Sequence, residues 1–224
     1  MKAMILAAGR GERLRPLTDN IPKPLVAVAG RPIIEYTIQA LEEAGFKDLI
    51  VNLAHLGNKI EMVLQDGSRF SVKISYSREG PVGLETGGGI FHALPLLGND
   101  PFTVVNGDIF CDFPLQTLIK KPPRLAHIIL VPNPKHNPSG DFSITDNGTV
   151  YVGGNQNYTF AGIGSYQPKL FEGCKEGTYP LAPILRQAME RGDVSGEIYQ
   201  GLWTDLGTLE RINALEKKLL AQQT

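Results

Sequence analysis

Short apolar runs alternate with helical patterns through the first half of the chain. The run from Lys2 to Ala8, KAMILAA, has the length and apolar continuity of a buried strand. A helix is predicted from about Pro32, a residue suited to the first helical position, to Gly45, a good terminator, with Ile34, Ile38 and Leu41 facing the sheet. LIVNLA then reads as a strand, NKIEMVLQ as a helix, VKISYS as a strand, IFHALPLL as a helix opened by a triple glycine, and FTVVN as a fourth strand. Strands alternating with helices predict an α/β fold whose parallel sheet gathers its βα loops at one edge, where such folds bind ligands.

After residue 124 the pattern changes to strands and turns. AHIILV, GDFSIT, a DNG turn, TVYVG and YTFAGIGSY predict an antiparallel lobe that extends the sheet and covers one side of the cleft. An apolar stripe of Leu181, Ile184, Leu185, Ala188 and Met189 predicts a helix. A strand pair is expected around SGEIYQGLWTDLG, and a closing helix from Thr208 with a core face of Leu209, Ile212, Leu215 and Leu219. There is no repeat or linker, so residues 1–224 are expected to form one domain, with 1–124 as one part and 125–224 as the other.

Composition narrows the partners. The 22 basic and 23 acidic residues leave a net charge of −1, so no global field draws the protein to nucleic acid or to an anionic membrane. Any polyanion it binds must be small and held locally. Cys111 and Cys174 have neither disulfide-scaffold nor zinc-ligand spacing, and the N-terminal apolar run is too short to span a bilayer. A cytosolic protein is the expectation; oligomeric state is not legible.

The loop after the first strand carries the chemistry. Gly9 and Gly11 begin a dinucleotide fingerprint, but Leu14 stands where a third glycine is needed, and no Walker sequence occurs. An ordinary glycine turn accounts for the glycines alone. A phosphate loop accounts also for Arg13, Arg15 and Lys23, the last braced between Pro22 and Pro24. Asp108 in VVNGD and Asp205 in LWTDLGT both end strands, and each alone reads equally well as a turn or helix-start residue. His55 and His92 read as helix or loop residues, and Trp203 as core.

The stretch GRGERLRPLT followed by PKPL resembles the signature of the sugar-phosphate nucleotidyltransferases, and ETGGGI, VVNGDIF, FAGIG and WTDLGT extend the likeness over most of the chain. The resemblance implies a Rossmann-like three-layer nucleotidyltransferase fold, with a mixed, mostly parallel central sheet and a small antiparallel lobe. It implies a nucleoside triphosphate and a sugar 1-phosphate as substrates and Mg2+ as cofactor. By position, Asp108 and Asp205 would hold the magnesium, and Arg13 and Lys23 would stabilise charge during an in-line attack on the α-phosphorus. Nucleotide contacts fall on Ala7, Ala8, Gly9, Gly11 and Glu12, with Arg13 and Lys23. Thr86, Gly87 and Gly88 would meet the base and ribose. Asn106, Gly140 and Asp141 would touch the sugar phosphate.

On the sugar side the chain departs from many glucose 1-phosphate enzymes, which carry a glutamate and lysine before a proline in the antiparallel lobe; DNGTVYVGGNQNYTFAGIG lacks them. Its short form, with LETGGGIF, NGD, SGDF and VSGE, resembles the N-acetylmuramate 1-phosphate uridylyltransferases of cell-wall recycling. That branch implies UTP, with mannose 1-phosphate guanylyl transfer as the runner-up and a nucleotide-sugar sensor as the non-enzyme alternative.

Overall fold

The structure, a computed structural model, describes residues 1–221; residues 222–224 of the expected domain lie outside it. The first strand, β1 (Lys2–Leu6), alternates its side chains between two cores: Ala3 and Ile5 pack on one face of the sheet and Met4 on the other. A small hairpin, β2 (Ala27–Val28) and β3 (Arg31–Pro32), leads into α1 (Ile33–Glu43). Then come β4 (Asp48–Leu53), α2 (Gly57–Leu64), β5 (Lys73–Arg78) and α3 (Glu85–Leu97). The strand β6 (Phe102–Asn106) turns directly into the short β7 (Ile109–Cys111), followed by α4 (Gln116–Lys120) and β8 (Ala126–Val131).

The rest comprises β9 (Ser143–Ile144), β10 (Val150–Tyr151), β11 (Thr159–Tyr166), α5 (Ala182–Glu190), β12 (Val194–Ile198), β13 (Trp203–Asp205) and α6 (Leu209–Ala221). Seven strands form the central sheet in the order β12-β8-β11-β6-β1-β4-β5. Only β11 runs antiparallel to its neighbours β6 and β8, so the sheet is mixed and mostly parallel. Ile34, Ile38 and Leu41 of α1 with Ile60 and Leu64 of α2 cover one face; Ile90 and Ala93 of α3 with Leu185 and Ala188 of α5 cover the other. Each of the wholly buried leucine and isoleucine side chains contributes about 1.5–3 kcal/mol, which is what holds the three layers together. No helix among the described residues is long and apolar enough to cross a membrane.

Three expectations change and one holds. The triple glycine does not precede α3 but lies inside it, since the helix already begins at Glu85. The antiparallel lobe is as expected: β11 extends the central sheet antiparallel to β6 and β8, and β9–β10 form a small antiparallel pair of their own. The strands around SGEIYQGLWTDLG do not pair with each other: β12 returns from the crossover helix α5 parallel to β8, leaving β13 to pair with β7. Leu209 is 53% exposed, because the closing helix docks through Ile212 and Leu215 onto Leu14, Val26, Val28 and Ile33, and its first residue overhangs that contact.

Candidate active site

The loops at the carboxyl ends of β1, β4, β5 and β6 enclose a cavity of about 460 Å3. This is the crevice where an α/β sheet of this kind accepts ligands. The loop after β1 contributes Ala7, Ala8, Gly9, Arg10 and Glu12, and the proline-braced arm contributes Lys23. Gly11 is left-handed, at φ 69°, and a Cβ there would stand 3.0 Å from both Lys23 Cβ and Thr18 Cγ2. Thr18 Oγ1 donates to the Gly11 carbonyl at 2.8 Å, closing the loop against the arm. Gly11 therefore shapes the loop without lining the cavity.

Lys23 is almost wholly buried, yet its ammonium donates to Asp108 Oδ2 at 2.5 Å. Asp108 itself stays 37% open to the cavity. Its position is fixed by Gly107, whose amide donates to the Leu6 carbonyl at 2.9 Å; a Cβ at 107 would come within 2.7 Å of that oxygen. Thus β6 ends hard against β1, and the aspartate is delivered to the glycine loop that follows β1.

The β7–β13 ladder, which local patterning does not predict, brings in the second aspartate. Asp205 pairs with Ile109, and the Leu206 amide donates to the Asp108 carbonyl at 2.7 Å. Asp205 opens into a neighbouring cavity of about 280 Å3, where Arg211 Nη1 lies 2.7 Å and His136 Nε2 3.0 Å from its Oδ1. Arg13 does not line the main cavity. Its guanidinium packs over Gly207: a Cβ there would stand 2.8 Å from Arg13 Nη2 and 2.6 Å from Nη2 of Arg211, the partner of Asp205, so Arg13 lies on that side.

The ladder sets the two aspartates on adjoining backbone, Asp108 lining the main cavity and Asp205 the neighbouring one; carboxylates are the hard oxygen donors magnesium takes. Among the described residues no three of His, Cys, Asp and Glu converge. Asp108 Oδ2 is engaged by Lys23 and Asp205 Oδ1 by Arg211 and His136, which leaves Oδ1 of Asp108 and Oδ2 of Asp205 as the hard oxygen donors a divalent cation would use.

Thr86 lines the cavity, and its hydroxyl accepts the Leu181 amide at 2.9 Å. Gly87 and Gly88 do not line it. Both amides are donated to the Tyr179 carbonyl at 3.0 Å, and a Cβ on Gly88 would stand 2.1 Å from the Gly177 oxygen. These glycines let α3 approach the 177–180 segment, and leave their amides unavailable to a base. The Ala7 amide is also committed, to Asn52 Oδ1 at 2.6 Å.

Asn106 borders both the main cavity and a side cavity of about 150 Å3 floored by Phe142, Phe160 and Leu185. Gly140 and Asp141 line neither. Gly140 takes φ 61° in a turn, and Asp141 Oδ2 accepts the Phe160 amide at 2.8 Å, tying the 137–141 loop to β11. Residues that pattern reading passes over are Arg10, Asn52, Pro81, Val82, Gly83 and Glu85, all on the cavity wall, together with His55, which in sequence is an ordinary helix or loop residue. For Arg10 a signal is present, a base between two glycines; for Asn52 there is none beyond a polar residue in an apolar strand. Trp203 sits as expected against the core, its indole donating to the Ala161 carbonyl at 2.9 Å.

The sequence pattern of the nucleotidyl transferase family matches residues 2–222. An N-acetylmuramate alpha-1-phosphate uridylyltransferase from Neisseria meningitidis serogroup B is 50% identical over 220 residues, 95% of each chain. A mannose-1-phosphate guanylyltransferase catalytic subunit beta from Xenopus tropicalis is 39% identical over 124 residues, 54% of this chain and 34% of that one. Among solved structures, an inositol-1-phosphate CTP transferase from T. maritima shares the fold at 20% identity, with a TM-score of 0.81 over 98% of this chain and 94% of that chain. Family pattern and fold agree along nearly the whole length, and the chain belongs to the nucleotidyl transferase family.

Proposed function

We propose that the protein transfers a uridylyl group from UTP to N-acetylmuramate 1-phosphate, releasing pyrophosphate, as a step in cytosolic recycling of cell-wall sugar. The observation that carries this reading is the meeting of Lys23 and Asp108 at the mouth of the glycine loop, in a chain half-identical, along nearly its whole length, to a uridylyltransferase acting on that sugar phosphate. The likeness to the guanylyltransferase covers only 54% of the chain, which favours the first reading over mannose.

In this reading the loop from Ala8 to Glu12 cradles the triphosphate, and Lys23 sits beside the α-phosphate. Magnesium held by Asp108 and Asp205 would neutralise charge on the α-phosphate and the departing pyrophosphate. The 1-phosphate of the sugar is already an anion, so its oxygen attacks phosphorus without a general base. As the new P–O bond forms, the bond to the β-phosphate bridge breaks and its electron pair leaves with pyrophosphate. Positioning and charge therefore carry the rate. Arg13, packed over Gly207 two residues beyond Asp205, is assigned to the incoming phosphate. The base and ribose fall to Ala8, Gly83 and Thr86, while Gly87 and Gly88 act only by letting α3 pack closely. Asn106 faces the sugar, with Gly140 and Asp141 holding the loop behind it. Residues 1–124 then serve the nucleotide and 125–224 the sugar phosphate, within one domain.

The test is pyrophosphate release with magnesium across four nucleoside triphosphates and a panel of sugar 1-phosphates. Turnover should be highest with UTP and N-acetylmuramate 1-phosphate. Turnover confined to GTP and mannose 1-phosphate would transfer the assignment, and none anywhere would remove it.

A further inference from the structure

A buried polar chain joins two walls of the cavity. The Ala7 amide donates to Asn52 Oδ1 at 2.6 Å, Asn52 Nδ2 donates to Glu79 Oε1 at 2.6 Å, and Glu79 Oε2 accepts the Leu84 amide at 2.7 Å. Asn52 is 2% and Glu79 9% exposed. The chain therefore runs from the phosphate loop after β1, across the end of β4, to the 81–86 segment after β5. Those two segments nearly touch: a Cβ on Gly83 would stand 3.2 Å from the Ala8 carbonyl oxygen. Within α3, Gly89 makes room for the carboxylate, since a Cβ there would lie 2.5 Å from Glu79 Oε1 and 3.1 Å from Asn52 Nδ2.

A carboxylate is an expensive group to bury, and it persists only where its oxygens are hydrogen-bonded. Glu79 meets that condition while pointing away from solvent. We propose that Glu79 is a positioning residue for the nucleoside triphosphate: through Asn52 on one side and the Leu84 amide on the other, it sets the gap between the phosphate loop and the base-side wall. The inference rests on the reading of this cavity as a nucleoside triphosphate site.

The polarity of the chain makes the proposal testable. Both ends are backbone N–H donors, so the two side chains between them must comprise one carboxylate and one carboxamide. With Glu79→Gln two carboxamides stand in line, and whichever way they flip, one donor faces another. With Asn52→Asp two carboxylates face each other. In the double variant N52D/E79Q the two groups exchange places. The carboxylate at position 52 then accepts from the Ala7 amide and from the carboxamide at position 79, whose own oxygen accepts the Leu84 amide, so every bond is restored in mirror order.

The experiment measures KM and kcat for UTP and for N-acetylmuramate 1-phosphate, with direct calorimetric binding of UTP alone, in wild type, E79Q, N52D and N52D/E79Q. Each single variant should raise KM for UTP about ten- to hundredfold, the scale of one buried donor left unpaired. KM for the sugar phosphate should stay within about threefold, and the double variant should recover UTP binding to within about threefold of wild type on the same accounting. If the single variants fail to fold, the double variant must still fold and bind UTP. An unchanged KM for UTP in E79Q, a double variant no better than the worse single, or equal losses for both substrates would overturn the proposal. Failure of the wild type itself to bind UTP would instead remove the functional reading beneath it.

Discussion

Lys23 Nζ lies 2.5 Å from Asp108 Oδ2, across 85 positions of sequence. The lysine is buried to 8% side-chain exposure while the aspartate stays 37% open, so the pair is a fixed cation meeting a carboxylate that a ligand can reach. Removing the lysine leaves an aspartate that water can still solvate, which costs the fold little. Lys23→Ala is therefore expected to lower kcat/KM about 10²–10³-fold, the scale of one lost electrostatic stabiliser, with the circular dichroism spectrum unchanged. A decline within threefold would show that the lysine is not at the reacting phosphate.

Asp205 is held differently, by Arg211 at 2.7 Å in a pocket of its own. Asp205→Asn should raise the magnesium concentration needed for half-maximal rate and lower the maximal rate by orders of magnitude, as expected for a lost carboxylate ligand. A magnesium titration of turnover checks this. An unchanged midpoint would detach Asp205 from the metal.

Gly107 has a steric duty that can be tested without any ligand. Adding a Cβ 2.7 Å from the Leu6 carbonyl must separate the ends of β6 and β1. Gly107→Ala should cost about 1–3 kcal/mol in urea unfolding, the usual penalty for overpacking, and should displace Asp108 enough to impair activity. Wild-type stability in that variant would mean the strand ends are not so closely joined.

His127 predicts the acid side of the stability profile. It is wholly buried on β8, with Ser195 Oγ 2.9 Å from Nδ1 and Glu197 Oε1 3.0 Å from Nε2. Burial lowers its pKa from 6.5; Glu197 opposes this and Lys121 adds to it. Below 6.5 the unfolded chain takes up the proton more readily than the folded one, so the stability that neutral His127 provides is complete above 6.5 and falls as the pH drops towards the lowered folded value. The thermal midpoint of wild type should decline from about pH 7 to about pH 5, and His127→Gln should flatten that decline. Parallel slopes for the two proteins would assign the acid sensitivity elsewhere.

The parts of this site that lie in contiguous stretches are legible in the sequence. Gly9, Lys23 and Asp108 each stand in a short segment whose residue types suit phosphate or metal. What escapes is pairing between distant segments. The β7–β13 ladder depends on β12 being claimed by β8, and nothing local in SGEIYQGLWTDLG records that competition. The Asn52–Glu79 contact spans 27 positions and looks, in sequence, like two polar residues at strand ends. Gly87 and Gly88 mislead for a further physical reason: a missing Cβ admits a neighbouring backbone as readily as a ligand, and here the neighbour is the Gly177 to Pro180 segment.

The central claim, uridylyl transfer to the sugar phosphate, is tested most directly by following the α-phosphorus. UTP labelled at the α-phosphate and, separately, at the γ-phosphate is incubated with N-acetylmuramate 1-phosphate, magnesium and enzyme. The α-label should appear in a UDP-sugar and the γ-label in pyrophosphate, in equal amounts. Gamma label released as free phosphate in a pyrophosphatase-free reaction, or α-label remaining in UTP while the sugar phosphate is untouched, would contradict it.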